Sequence, residues 1–150
     1  DFDITEVIVD LKQVYESHLS PEVKLICHLP HKKYVINSEK NRLTQVITNL
    51  LNNAVKFTSE GSITIGYEVI PGGLAFYVTD TGKGIDPENL KRVFERFAKF
   101  DSFVPGTGLG LSICQMIVTK LGGKISVESE LGVGTTFRFT IACESTTQAK

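Results

Sequence analysis

The chain has 150 residues, 41% of them hydrophobic and 22% charged, with a formal net charge of −1. That length fits one domain with a core of its own, and the near-neutral balance offers no basic field for nucleic acid. The three cysteines, Cys27, Cys114 and Cys143, lack zinc spacing and read as reduced thiols of a cytosolic protein, and no apolar run approaches the roughly 20 residues of a membrane helix.

The first predicted element is a helix. Asp3 can cap free backbone amides and Glu6 lies in the first turn. Ile4, Val7, Ile8, Leu11, Val14 and Tyr15 then follow helical spacing, and Pro21 is expected to end the helix. Residues 23–29 and 34–37 read as two short strands around a turn at residues 30–33. Residues 38–58 predict a long helix with an apolar face of Leu43, Ile47, Leu50, Leu51 and Ala54. Gly61 breaks it. Strands over 62–70 and 74–79 are joined at Pro71, Gly72 and Gly73, a hairpin signal. Residues 82–107 read as irregular, with Pro87 and Pro105 as punctuation and one short helix near 88–94. Residues 109–121 predict a helix that Gly122 and Gly123 stop. A last hairpin spans 124–129 and 135–142. Residues 144–150 are polar and read as a tail or linker, so the domain is expected over 1–143. The order implies a two-layer α/β sandwich. Its sheet is mixed, mostly antiparallel, of about five to six strands, with three main helices on one face.

Three features carry chemistry. In the helix over 38–58, Arg42, Asn49, Asn53 and Lys56 fall on one stripe. Asparagine is a poor helix former, roughly 0.6 kcal/mol worse than alanine. A merely solvated face would more cheaply use Glu, Lys or Gln. The functional reading gives Asn53 to Mg2+, a hard ion that takes oxygen ligands, and Lys56 to a phosphate. Next, Asp80, Gly82 and Gly84 directly follow a strand. A carboxylate at a strand end beside two glycines suits a pocket where backbone approaches a ligand, and it can accept from the exocyclic amine of adenine. An ordinary turn is the plain alternative. Finally, Gly106, Thr107, Gly108, Leu109 and Gly110 run into a helix N-terminus, where amides and dipole favour an anion. The register is neither that of a Walker A loop nor of a dinucleotide fingerprint.

Together the three resemble the histidine kinases of two-component systems. Residues 49–58 resemble their N box, Asp80, Gly82 and Gly84 the G1 box, and residues 106–110 the G2 box. Phe94 to Phe97 resemble the F box, and Gly132, Val133, Gly134, Thr135, Thr136 and Phe137 the closing glycine-rich turn. The resemblance covers nearly all the chain in the family's order. It implies the Bergerat-type fold shared with type II topoisomerases, Hsp90 and MutL. It implies ATP and Mg2+ as cofactors, with Asn53 on the metal, Lys56 on a phosphate, Asp80 on adenine and residues 106–110 on the phosphates. Arg96 and Lys99 are further candidates for the phosphates, and Thr136 for the nucleotide. Glu39 stands where the family often has Asp.

Residue 49 separates kinase from ATPase. The ATPase branches place a Glu there as general base for water; Asn49 cannot take a proton at neutral pH. Imidazole needs that base less, because its reference pKa of about 6.5 leaves a neutral nitrogen with a lone pair. Phosphoryl transfer to histidine is therefore favoured over hydrolysis; the alternatives are a same-fold ATPase or serine protein kinase, or a non-catalytic nucleotide-dependent docking module. His18, His28 and His31 lie outside a phosphoacceptor context, so the acceptor is expected on a separate dimerising helical hairpin of the parent protein. A response regulator would be the downstream partner. The domain itself is expected in the cytoplasm with no membrane insertion, whether or not the parent is anchored. Phe94, Phe97, Phe100 and Phe103 recur every third residue. They suggest a lid over 86–105 that presents rings to the acceptor helices, with Phe94 or Phe97 also suited to plug the floor of the site.

Overall fold

Alternating apolar residues in three long strands build one buried face. Ile63, Ile65 and Tyr67, then Leu74, Phe76 and Val78, then Phe137, Phe139 and Ile141 are all buried in a single core with the helices. The structure is a computed structural model and describes residues 1–91, 93, 94 and 110–145. In chain order the elements are β1 (Phe2–Asp3), α1 (Ile4–Glu16), β2 (Val23–His28), β3 (Val35–Asn37), α2 (Lys40–Phe57), β4 (Gly61–Ile70) and β5 (Gly73–Asp80). Then follow α3 (Pro87–Leu90), α4 (Gly110–Lys120), β6 (Ile125–Glu130), β7 (Gly134–Ala142) and β8 (Glu144–Ser145).

The large sheet has strand order β2-β4-β5-β7-β6, parallel between β2 and β4 and antiparallel elsewhere. A small sheet, β1-β3-β8, is antiparallel throughout. The two-layer α/β expectation holds, with α1, α2 and α4 contributing to the core behind the large sheet. Among the described residues no helix is long and apolar enough to cross a membrane.

Three expectations are corrected. The strands over 23–29 and 34–37 do not form a hairpin. β2 pairs in parallel with β4 across the α2 crossover, and β3 leaves for the small sheet. Pro21 does not end α1. The helix stops at Glu16, where the Ser17 hydroxyl and His18 Nδ1 both reach the Val14 carbonyl, at 2.7 and 2.8 Å. Glu144 and Ser145 are not tail but β8, with the Ser145 hydroxyl donating to the Val35 carbonyl at 3.0 Å.

Caps follow their residue types. The Asp3 carboxylate accepts from the amides of Thr5 and Tyr34, both at 3.0 Å, and so fixes the start of α1. Glu39 is the N-cap of α2, yet its longer side chain makes no capping hydrogen bond.

Candidate functional site

Asp80 ends the middle strand of the large sheet, opposite Ile63 on one side and Thr135 on the other. The alternation that buries Leu74, Phe76 and Val78 also turns Asp80 inward, and it is only 5% exposed. Its Oδ1 accepts the Gly82 amide at 2.9 Å. Burial raises its pKa above the ordinary value, while backbone amides of Gly82 and Thr135 work against that rise. No ion pair joins it to a described residue.

The loop after Asp80 is wedged between two elements. The Lys83 amide donates to the Phe57 carbonyl at 3.2 Å, and the Gly132 amide donates to the Lys83 carbonyl at 2.8 Å. A Cβ at Gly82 would lie 2.2 Å from the Phe57 carbonyl oxygen. Gly84 has φ +76°, and a Cβ there would lie 2.2 Å from the Glu130 carbonyl oxygen. Clefts open on both sides of the loop. One is lined by Phe57, Gly84, Ile85, Asp86 and Leu131 among others, the other by Lys56, Ser59, Thr81 and Gly82 among others. Lys83 Nζ lies 5.2 Å over the Phe57 ring between them.

The polar stripe of α2 divides by burial. Asn53 is 5% exposed, and no hydrogen bond joins its side chain to another described residue. Asn49 is half-buried; Lys56 and Arg42 are exposed. A buried carboxamide can offer its oxygen to a hard cation. Among the described residues no group of three or more His, Cys, Asp or Glu is placed to hold a metal. A divalent ion here would thus take the Asn53 oxygen together with oxygens of its own ligand, which fits Mg2+. Asn52 serves α1 instead, accepting from the Tyr15 hydroxyl at 2.5 Å.

Asp80, Gly82 and Gly84 come together against the C-terminal end of α2, and Gly110 begins α4, which packs on α2. Arg96, Lys99, Gly106, Thr107, Gly108 and Leu109 lie outside the described residues, as do Phe97, Phe100 and Phe103. Phe94 sits edge-on to Phe137 at 6.3 Å and joins the core. Thr136 is not beside Asp80. Strand alternation sends it to the other face, where its hydroxyl meets that of Thr79 at 3.1 Å. Its neighbour Thr135 is the inward residue, 2% exposed, with its hydroxyl 2.7 Å from that of Ser129. Thr58, the last residue of the stretch 49–58, also lies at the site. Its hydroxyl is buried without a partner among the described residues, 2.9 Å from where a Gly82 Cβ would stand.

Residues 38–145 match the family of histidine kinase-, DNA gyrase B- and HSP90-like ATPases. The chain belongs to that family, and the relatives it resembles include sensor histidine kinases. The sensor protein SrrB of Staphylococcus aureus is 47% identical over 111 residues, covering 71% of this chain and 19% of SrrB. The chain therefore spans about a fifth of the length of the curated relatives it matches. Full-length ShkA, solved with AMPPNP, matches 97% of this chain and 31% of its own at 29% identity and a TM-score of 0.87. The catalytic domain of the histidine kinase ThkA matches 94% of this chain and 95% of its own, at 28% identity and a TM-score of 0.82. The mycobacterial sensor histidine kinase MprB matches 95% and 97%, at 27% identity and a TM-score of 0.79.

Proposed function

We propose that this domain binds Mg-ATP and directs its γ-phosphoryl group to a histidine on a separate dimerising helical hairpin of the parent protein, from which a response regulator receives it. One observation carries the reading. Asp80 is a buried carboxylate held by two backbone amides and no described cation. Such a group calls for a further donor, and the exocyclic amine of adenine supplies one. When bound, ATP supplies the phosphoryl group and Mg2+ neutralises charge on its oxygens.

The chain's own residues bind and orient. Asp80 selects the base. Gly82 and Gly84 let backbone lie where a side chain would block it. Asn53 holds the metal through its amide oxygen, and Lys56 and the α4 N-terminus, with residues 106–110, hold phosphate. Arg96 and Lys99 add positive charge from the segment before that helix. Asn49 provides no base for water, which leaves a supplied imidazole as the better nucleophile. Positioning and charge neutralisation do the rest.

The test is a transfer assay. The purified domain is mixed with Mg-ATP and the parent's histidine hairpin, and phosphohistidine is measured against free phosphate. Phosphohistidine as the main product is expected. Free phosphate at a matching or higher rate would reassign the domain to the ATPase branch, and absence of any nucleotide binding would end the proposal.

A further inference from the structure

One row of side chains crosses the large sheet at the level of Asp80. Register sets Ser129 opposite Thr135, Thr135 opposite Asp80 and Asp80 opposite Ile63, all on the inward face. On β6 that face begins with Ile125 and Val127, both packed on the core, and ends with the half-buried Ser129. A residue chosen only to pack would continue the hydrocarbon. Ser129 instead makes three polar contacts. Its Oγ accepts the Ile85 amide at 2.7 Å, donates to the Gly134 carbonyl at 3.0 Å and lies 2.7 Å from the Thr135 hydroxyl.

A serine hydroxyl has one proton to give and two lone pairs to receive with. The Ser129 proton goes to Gly134, and the Ile85 amide takes up one lone pair. Only one lone pair is left for Thr135, so at 2.7 Å the Thr135 hydroxyl is the donor. Its single proton then points away from Asp80. Thr135 is 2% exposed and Asp80 5%, so neither group has bulk water to turn to. The remaining lone pairs of Thr135 lie beside the Asp80 carboxylate, which accepts the Gly82 amide at 2.9 Å. This corner of the pocket therefore offers acceptors and no hydroxyl proton. It suits an amino group and repels a carbonyl oxygen. The Ile85 bond also ties the loop after Asp80 to β6.

We propose that Ser129 is a positioning residue that sets base specificity: held by the Ile85 amide and the Gly134 carbonyl, it turns the Thr135 proton away from Asp80, so that the pocket takes an amino purine and rejects its oxo counterpart. This rests on the reading of Asp80 as the acceptor of the exocyclic amine of adenine. Without Ser129, Thr135 is free to rotate and to offer its proton to an oxo group. Selectivity is then lost through Thr135, not through a weakened fold.

The experiment compares the parent chain with Ser129→Ala, Ser129→Thr, Thr135→Val and the double variant Ser129→Ala with Thr135→Val. Affinities for Mg-ADP and for Mg-IDP, which carries an oxo group where ADP has its exocyclic amine, are measured by calorimetry, the weaker one by competition. Ser129→Ala should lower the preference for ADP about tenfold, the worth of one hydrogen bond. Ser129→Thr keeps the hydroxyl on a strand, which suits a β-branched residue, and should restore the preference. On the Thr135→Val background, Ser129→Ala should change the preference by no more than about twofold, because the two residues act as one unit. A preference that Ser129→Ala leaves unchanged while both affinities fall together would show a merely structural role and overturn the proposal. So would a fall that Ser129→Thr does not reverse, or one that persists on the Thr135→Val background. The anchor is read without nucleotide. In protein labelled with 15N-isoleucine, the Ile85 amide is identified by its absence in Ile85→Val. It should shift and exchange faster with solvent in Ser129→Ala and return in Ser129→Thr; an unmoved Ile85 amide would also overturn the proposal. Should Ser129→Ala fail to fold, Ser129→Cys, of similar shape and a weak acceptor, takes its place with the same expectations. A parent that binds neither nucleotide ends the functional reading and this proposal with it. A parent that binds ADP with a preference indifferent to residue 129 ends this proposal alone.

Discussion

Asp80 is a negative group that folding moves almost out of water, and its cost should be measurable separately from its use. Its folded pKa is raised, so the native state holds this proton more tightly than the unfolded chain does. The sign follows. The contribution of Asp80 to stability is greatest below the ordinary carboxylate value and declines as pH rises through the raised one. Asp80→Asn removes that decline while still accepting the Gly82 amide. Thermal melts from pH 3 to 8 should show a flatter profile and a midpoint at pH 7 no lower than the parent's. Calorimetry should show nucleotide affinity reduced about 10- to 100-fold, as expected for a lost hydrogen bond to a charged group. The residue was legible in sequence because a carboxylate ended a strand just before two glycines. Thr136 faces away from Asp80 because side chains alternate along β7, which turns Thr135 inward instead. Ser129 gave no sequence signal, since its partial burial comes from the turn that brings its hydroxyl onto Thr135 and the Ile85 amide.

At the scale of elements, α2 is both the richest in site residues and imperfectly started. Glu39 stands at its N-cap without a capping bond. Shortening the side chain in Glu39→Asp should supply one, adding about 0.5–1 kcal/mol. Its melting midpoint should rise by a few degrees with unchanged nucleotide affinity. The opposite is expected of Gly84→Ala, where left-handed backbone and the Glu130 carbonyl both resist a methyl group. The conformational term alone is about 1–2 kcal/mol. A midpoint lowered by at least about 3 °C, together with weaker nucleotide binding, would bear this out. Helices and hairpins were readable because their signals are local: Asp3 before a periodic run, or Pro71 and Gly72 between two alternating ones. The β2–β4 pairing was not, because it joins residues separated by all of α2, and β1 and β8 are too short to show any period.

For the molecule as a whole, ligand binding and stability are linked. With Mg-ATP at about 100 times its dissociation constant, native-state binding adds about 2.7 kcal/mol. At about 2–4 °C per kcal/mol for a domain of this size, the midpoint should rise by roughly 5–10 °C. Chelating the metal should remove much of that rise if Asn53 acts through Mg2+. An unchanged midpoint at saturating nucleotide would count against the site.

The three-stranded sheet also governs how this unit can be rewired. Phe2 and Ser145 lie across from Ile36 on its two sides. Two strand spacings separate them, roughly 10 Å, a gap that about four extended residues can bridge. A circular permutant closed there and reopened at the exposed Gly72 turn would separate Asn53 from Asp80 along the chain, yet leave α2 and the stretch from β5 through Gly84 each intact. Such a molecule offers a way to splice the catalytic unit into a foreign host without disturbing its pocket.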